Sequence, residues 1–157
     1  MRHTPLHWID LPPIWLALCL AVVWGVDQSM PLALFGPAGR VLGAVLVLLG
    51  LAVMGGAAGQ MLAARTTVIP RGQPRALVTG GLFGWSRNPI YLADVLILTG
   101  AILWWDVPVA LPLVFGFRQL LLHRFILREE AILKAAFGTE FTLWAGRTRR
   151  WFGRNLR

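Results

Sequence analysis

The chain has 157 residues, of which 57% are hydrophobic and only 14% charged, and its mean hydropathy is +0.65. Soluble domains carry about 25% charged residues, so this composition excludes an ordinary soluble domain and predicts an integral membrane protein. The net charge is +8. Because the arginines border apolar segments, we attribute them to contact with anionic lipid headgroups and predict no nucleic-acid partner.

Two apolar segments in the first half are long enough to cross a bilayer, which requires about 20 apolar residues. The first runs from about 13 to 34 and carries one acid, Asp27, near its far end. The second runs from about 41 to 62 without a charge. Its glycines include Gly55 and Gly59 in GxxxG spacing, which allows helix backbones to approach closely in lipid. We predict tight packing inside a helix bundle, with a homodimer contact as the alternative.

A polar segment of about two dozen residues follows, from Arg65 to Asn88. It contains Pro70, Pro74 and the pair Gly80–Gly81, which favour a shaped loop over a helix. Loops of this length in a compact protein are usually functional. We therefore expect this loop to contribute to a site.

Two more spans are predicted in the second half, over about 89–105 and 107–126. Asp94 is the only charged residue of the third span and lies three residues after Tyr91, on the same helix face. It could border a pocket reached from the loop. The fourth span continues as a helix through Arg118 towards Glu130, and Gly138 resembles the residue that follows the end of a helix.

Lys and Arg are enriched in cytoplasmic loops of membrane proteins. Only Arg40 lies between the first two predicted spans, whereas most of the other basic residues lie on the opposite side. That side holds Arg2, Arg65, Arg71, Arg75, Arg87, Lys134, Arg147, Arg149, Arg150, Arg154 and Arg157. The sequence thus predicts an all-α, polytopic protein with one domain over residues 1–157. It has four transmembrane helices and both termini in the cytoplasm, and we expect a bacterial inner membrane.

The end of the fourth span is unusually polar for its depth, and ionisable residues there usually mark a site. On a regular helix, one face would hold Gln119, His123, Ile126, Glu130 and Phe137, and an adjoining stripe would hold Arg118, Phe125 and Glu129. Arg124 and Arg128 would point the other way, away from Glu129. The alternative is that the helix leaves the bilayer near Arg118 and its charges are solvated. One His beside two acids lacks the multi-His spacing of a zinc site, so no metal site is predicted.

No soluble-enzyme motif is present: the chain has no GxGxxG after a strand, no Walker A loop, no GxSxG and no HExxH. Nucleotide binding by a Rossmann domain is therefore not predicted.

Two sequence blocks resemble the isoprenylcysteine carboxyl methyltransferase and phospholipid methyltransferase family. The first runs from Arg75 to Tyr91 and ends in Arg-Asn-Pro-Ile-Tyr, where the family has R-H/N-P-x-Y opening a transmembrane helix. The second begins at Arg128-Glu129-Glu130 and continues with Leu133, Phe137-Gly138, Phe141 and Trp144. The resemblance covers roughly residues 60–150, and the catalytic part would span about 65–150.

The resemblance implies S-adenosylmethionine as cofactor, held in a pocket between the cytosolic loop and the C-terminal helical segment. The acceptor would be lipid-like, either an isoprenoid-type carboxylate or a phospholipid amine. Arg124 and Glu129 would be catalytic, with Arg124 facing the acceptor and Glu129 also reaching the cofactor. The other implied cofactor contacts are Leu77, Val78, Phe83, Arg87, Asn88, Pro89, Tyr91 and Glu130.

This chain departs from the family pattern at several aromatic positions. Phe83, Phe141 and Trp144 stand where tyrosines are usual, and Asn88 stands where many members have histidine. These departures leave the acceptor open. The sequence does not reveal the oligomeric state.

Two other functions are compatible with the same sequence. A membrane sterol reductase would use NADPH and would require additional basic and glycine-rich residues for phosphates, for which Arg71 and Arg75 are the only candidates. A membrane assembly protein without activity would use Asn88, Tyr91 and Glu129 only for packing.

Overall fold

A computed structural model describes residues 10–30, 34–67 and 74–155. The predicted features at Arg2, Pro70, Arg71 and Arg157 lie outside these residues. The described chain is all-α, as predicted, and forms no strand beyond an isolated bridge between Thr148 and Arg154. Its helices are α1 (Pro12–Ser29), α2 (Gly36–Ala63), α3 (Pro89–Trp104), α4 (Leu111–Leu121) and α5 (Leu127–Arg147).

Within the described residues, two helices are long and apolar enough to cross a membrane. They are α2 and the continuous helical stretch over Pro108–Arg147, whereas α3 is apolar but has only 16 residues. Large apolar side chains on α2 and α4, including Val41, Leu48 and Phe115, are exposed, as expected of lipid-facing surfaces. The four-span topology stays a prediction.

Glycines allow α2 and α3 to pack backbone against backbone. A Cβ added at Gly43 would lie 2.5 Å from the Gly100 carbonyl oxygen, and one at Gly50 would lie 3.0 Å from the Ala93 oxygen. Gly55 and Gly59, the pair with GxxxG spacing, are exposed and have no atom within 4 Å of an added Cβ. The predicted tight packing is therefore made by other glycines of the same helix.

Asp106 connects the end of α3 to the beginning of α2. Its Oδ1 accepts hydrogen bonds from the N–H groups of Leu34 (2.9 Å) and Phe35 (2.8 Å), and its Oδ2 accepts one from Gly36 (2.8 Å). The first N–H groups of a helix have no partner within the helix. Asp106, just after α3, thus caps α2 from a distance of about 70 residues in sequence.

The helical stretch that begins at Pro108 differs from the predicted fourth span in length and regularity. It extends to Arg147, with a π-helical turn over Leu122–Ile126 and a kink at Gly138, where φ is 49°. The positive φ favours glycine and agrees with the predicted helix end there. The π-turn changes the helical register, so the face assignments made for a regular helix do not hold beyond it.

The first helix is shorter than predicted. α1 ends at Ser29, whose hydroxyl donates to the Gly25 carbonyl oxygen (2.8 Å), and residues 31–33 lie outside the description. α3 is the central helix: nine of its 16 residues are buried, and it packs against α1, α2 and α4. A cavity opens at one end of the bundle, where the beginnings of α1 and α3 meet the end of α2.

Candidate functional site

A cavity of about 410 Å³ lies between the loop, the beginning of α3 and the beginning of α5. Its walls are mainly apolar and include Met54 and Met61 from α2, Leu77 and Val78 from the loop, and Leu133 from α5. Ligand sites of small molecules are typically cavities of about 300–1,000 Å³ with apolar walls and a few polar groups. The cavity therefore has the size and character of a ligand site.

Two side chains bind the loop backbone, Thr66 from within the loop and Gln60 from α2. Thr66 Oγ1 accepts hydrogen bonds from the N–H groups of Arg75 (3.1 Å) and Ala76 (3.4 Å), and Gln60 Oε1 accepts one from Leu82 (3.2 Å). Gly81 has a φ of +56° at the start of a short 3₁₀ turn, a conformation that favours glycine. These contacts shape the loop as one wall of the cavity.

Tyr91 and Glu129 connect α3 to α5 inside the cavity wall. The Tyr91 hydroxyl donates a hydrogen bond of 2.6 Å to Glu129 Oε1. The Tyr91 ring is buried and stacks on Phe125, with ring centroids 6.2 Å apart. A hydrogen bond to a carboxylate is short and strong, so Glu129 is held in a defined orientation at the cavity.

Glu130 binds two arginines beside the cavity. It accepts two hydrogen bonds from Arg150, at 2.9 and 2.7 Å, and forms an ion pair with Arg87 at 3.3 Å. Burial lowers the pKa of the Arg87 guanidinium, an effect that Glu130 opposes and Arg150 reinforces. The hydrogen bond to Glu130 raises the pKa of Arg150. Two cations share one carboxylate here, so the cluster keeps a positive charge next to the cavity.

The segment after α5 folds back onto the Arg-Asn-Pro turn. The Arg87 N–H donates to the Arg149 carbonyl oxygen (3.0 Å), and Asn88 Nδ2 donates to the Arg150 carbonyl oxygen (3.0 Å). The Gly153 N–H donates to the Trp85 carbonyl oxygen (2.7 Å). These bonds fix the turn that precedes Pro89, so the C-terminal segment supports the loop side of the cavity.

The aromatic residues of the two sequence blocks meet in one buried cluster. Phe83, Phe141 and Trp144 pack together, and Trp144 Nε1 donates to the Phe83 carbonyl oxygen (3.0 Å). The indole N–H here satisfies a backbone carbonyl oxygen of the loop. The two blocks are thus in direct contact, although about 60 residues separate them.

Most of the predicted site residues line this one cavity: Leu77, Val78, Phe83, Arg87, Asn88, Pro89, Tyr91 and Glu129. Glu130 does not line it and instead binds Arg87 and Arg150. Arg124 also lies outside it, on the exposed surface, where its Nε donates to Asp10 Oδ1 (2.6 Å) and its guanidinium lies over the Trp15 ring (5.3 Å). The cavity and the surface around Arg124 are therefore separate features.

Other residues of the site were not among those predicted from the sequence. Thr66, Trp144 and the first residues of α1, Pro12 and Pro13, line the cavity, and Arg150 supports it. No local pattern marks Arg150, because its contact with Asn88 spans 62 residues. Within the described residues, no group of three or more His, Cys, Asp or Glu side chains is placed to hold a metal ion.

Comparison with known families decides the class of this protein. The model of the phospholipid methyltransferase family matches residues 38–140, which is more than half of the chain. The chain belongs to the phospholipid methyltransferase family. Comparisons with curated proteins and with solved structures found no significant match.

Family membership indicates a membrane-associated methyltransferase that acts on a lipid-like substrate. Methyltransferases of this family generally use S-adenosylmethionine. The matched region contains the whole loop, α3 and the first part of α5 with Glu129. The C-terminal segment with Arg150 lies beyond the matched region, as does α1.

Proposed function

We propose that this phospholipid methyltransferase family member transfers a methyl group from S-adenosylmethionine, bound in the cavity, to a membrane-embedded acceptor. The observation that carries the proposal is the placement of opposite charges on one cavity wall. Glu129, held by Tyr91, offers a carboxylate, and Arg87 offers a guanidinium whose buried Nε has no hydrogen-bond partner among the described residues. The amino-acid part of S-adenosylmethionine is a zwitterion that such a pair can bind.

The rest of the cavity also suits this cofactor. Its apolar walls from the loop and α5, including Leu77, Phe83 and Leu133, can cover the flat, weakly polar base. Burial makes the unpaired Arg87 Nε costly unless a ligand accepts its hydrogen bond. A carboxylate is the acceptor that a guanidinium binds best. The residues present therefore fit the cofactor.

Each of these residues has a separate role in the proposed reaction. When bound, S-adenosylmethionine supplies a methyl group on a sulfonium. Glu129 would orient the cofactor through its ammonium group, and Arg87 through its carboxylate. The apolar side chains and Trp144 would exclude water, and positioning the donor against the acceptor supplies much of the rate acceleration of a displacement reaction. Glu130 would act indirectly, by holding Arg87.

The proposed membrane arrangement follows from the same organisation. Four spans would place the loop and the C-terminal segment in the cytoplasm, where most of the arginines lie, and the acceptor would enter laterally between helices. Arg124, on the exposed surface near α1, would bind an anionic group of the approaching lipid rather than the reacting atom. We expect a bacterial inner membrane as the site of action.

The proposal is tested by isothermal titration of S-adenosylmethionine and S-adenosylhomocysteine into protein in nanodiscs, with Glu129→Gln as the test variant. We expect saturable binding that Glu129→Gln weakens about ten- to a hundredfold, since a hydrogen bond to a charged group contributes about 1.5–3 kcal/mol. Glu140→Gln is the matched control, because Glu140 is an exposed acid on the same helix, beyond the kink. It should change the affinity by less than about twofold.

Failure of folded wild-type protein to bind either molecule would contradict the proposal. NADPH is titrated in parallel, and its binding would instead support a reductase. Absence of binding by all three molecules would support a membrane assembly protein without activity. Equal losses in Glu129→Gln and Glu140→Gln would mean that the affinity reflects overall charge rather than the cavity.

A further inference from the structure

Asp94 is a buried acid in the wall of the cavity. It lies on α3 with only 1% of its surface exposed. Among the described residues, neither of its carboxylate oxygens has a hydrogen-bond partner. The other buried or half-buried acids near the ends of the bundle are engaged: Asp106 by three backbone N–H groups, Glu129 by Tyr91, and Glu130 by two arginines.

An unpartnered carboxyl group at this depth destabilises the fold. Burying a polar group without a hydrogen bond is unfavourable, and ionisable residues within apolar helices usually mark a functional site. Asp94 lies between Ala93 and Val95 on the most buried helix, where an apolar side chain would pack without this penalty. An occupant of the cavity that donates a hydrogen bond to Asp94 would remove this penalty.

Asp94 lies deeper in the bundle than the residues proposed to hold the cofactor. Arg87, Tyr91 and Glu129 lie at the loop end of the cavity, whereas Asp94 is one turn further along α3, about 4.5 Å deeper. Met54 lines the same cavity from α2, nine residues before that helix ends, which is about 13 Å along its axis. The cavity therefore extends from the polar loop into the helix bundle.

We propose that Asp94 contacts the nucleophile of the acceptor, accepts its proton during methyl transfer, and so selects an acceptor that carries an N–H or O–H hydrogen. This inference rests on the proposed function. The acceptor nitrogen or oxygen forms a bond to the methyl carbon as the carbon–sulfur bond breaks, and sulfur keeps the electron pair and becomes a neutral thioether. The acceptor's proton passes to an Asp94 oxygen. The positive charge of the sulfonium and the negative charge of Asp94 disappear together, and the three products are a thioether, a methylated acceptor and a neutral Asp94, so the step balances without a further reactant.

The same geometry disfavours a carboxylate acceptor. A second carboxylate next to Asp94 in an apolar cavity would place two like charges together with little water to screen them. It would also leave Asp94 without a donor. Of the two acceptor classes implied by the resemblance, the phospholipid amine fits Asp94 and the isoprenoid-type carboxylate does not.

The test uses Asp94→Asn, which keeps the shape of the side chain but cannot accept the proton. Full-length protein is placed in nanodiscs with methyl-labelled S-adenosylmethionine and either phosphatidylethanolamine or palmitic acid. We expect wild-type protein to label the amine lipid and not the fatty acid. Asp94→Asn should lower the rate about 10²- to 10⁴-fold, the range of general-base catalysis, and change the dissociation constant of S-adenosylmethionine by less than about threefold.

Thermal unfolding of the protein without cofactor provides a readout independent of activity. Because Asp94 is an unpartnered acid, Asp94→Asn should unfold at the same temperature as wild type or higher. Asp27→Asn is the matched control, since Asp27 is the acid of another apolar helix and its carboxylate accepts a hydrogen bond from Gln28 (3.1 Å) away from the cavity. It should leave labelling, affinity and unfolding temperature unchanged.

Several results would overturn the inference without touching the proposed function. One is an unchanged rate in Asp94→Asn, and another is labelling of palmitic acid by wild-type protein. A third is a loss of cofactor affinity in Asp94→Asn as large as the loss of rate, which would mean that Asp94 contacts S-adenosylmethionine rather than the acceptor. A lower unfolding temperature together with lost binding would show a structural role and would also overturn it. Wild-type protein that binds no S-adenosylmethionine would refute the proposed function itself and the inference with it.

Discussion

At the scale of single residues, the polar atoms left without a partner are concentrated at the cavity. Within the described part of the chain, four buried side-chain atoms lack a hydrogen bond: Arg87 Nε, both oxygens of Asp94 and Gln119 Oε1. Three of the four belong to residues that line the cavity. Buried polar groups in folded proteins nearly always have partners, and the proposals above assign ligand groups to the three atoms at the cavity.

Tyr91→Phe tests whether the phenol acts through Glu129. The change removes the 2.6 Å hydrogen bond but keeps the ring that stacks on Phe125. We expect the affinity for S-adenosylmethionine to fall about tenfold, within the range for a hydrogen bond to a charged group, while the unfolding temperature changes little. Isothermal titration and thermal unfolding measure the two effects.

A double-mutant cycle completes the Tyr91 test. If Tyr91 acts only by orienting Glu129, the substitution should weaken binding far less in a Glu129→Gln background than in wild type, because residues in contact are not additive. Fully additive losses would contradict this and would mean that each side chain contacts the ligand by itself.

At the scale of helices, glycine positions decide how α2 and α3 pack. Gly43 on α2 and Gly100 on α3 face each other so closely that a Cβ on either would lie within 2.6 Å of the other's carbonyl oxygen. Asp94 and Tyr91 lie on the same helix, nearer its beginning, so the helix contact also sets the position of the site. A shift of α3 would move the cavity wall.

Gly43→Ala is expected to destabilise the protein and Gly55→Ala is not. The added methyl group at Gly43 meets backbone atoms of Gly100 and Trp104, at 2.5 and 2.6 Å, which cannot move aside as a side chain can. Such overpacking costs about 1–3 kcal/mol. An added Cβ at Gly55 has nothing within 4 Å, and alanine is a better helix former than glycine.

Thermal unfolding in the same detergent compares these two alanine variants directly. We expect a lower midpoint for Gly43→Ala and an equal or higher one for Gly55→Ala. If Gly55→Ala were the more destabilised variant, Gly55 and Gly59 would form a contact with a second molecule, such as a homodimer contact.

At the scale of the whole molecule, Asp106 holds the end of the bundle that lies away from the cavity. The hydrogen bond from the Phe35 N–H lowers the pKa of Asp106, and burial opposes this effect. The N–H groups of Leu34 and Gly36 and the charge of Arg40 lower this pKa further. A carboxyl group whose pKa is lower in the folded state stabilises the fold at pH values above its unfolded pKa, about 3.9. That contribution is lost as the pH falls through the lower, folded pKa.

Asp106→Asn should therefore reduce the stability at pH 7 and flatten its dependence on pH below about 4. Unfolding midpoints of wild type and variant, measured from pH 7 to pH 3, provide the test. The two curves should converge at the acid end, because protonated Asp106 resembles Asn in charge. Curves that stay parallel over this range would show that Asp106 does not contribute through its charge.

Much of the fold follows from local features of the sequence. Apolar segments of sufficient length predicted helices at α2 and α3, with Pro89 at the first helical position and Gly138 at a positive φ. The Arg-Asn-Pro turn, Tyr91 and Glu129 were predicted as site residues, and they line one cavity. Their assignment to the cofactor stays a proposal until binding is measured.

The π-turn illustrates the limit of this reasoning. Helical periodicity placed Arg124 away from Glu129 on a regular helix, but it did not predict the extra residue in the turn over Leu122–Ile126. Nor did it predict that Arg124 would bind Asp10, 114 residues away. A face assigned by periodicity is reliable only as far as the helix remains regular.

The sequence by itself determined the helical class, the apolar segments, the loop and the glycine kink, because each depends on residues within a few turns of one another. Only the tertiary structure decided which groups meet: Glu130 with Arg150, and Asp106 with the start of α2. Such contacts depend on how closely helices pack and in which register. Backbone clearances at Gly43 and Gly100 control that packing, and no local pattern encodes them.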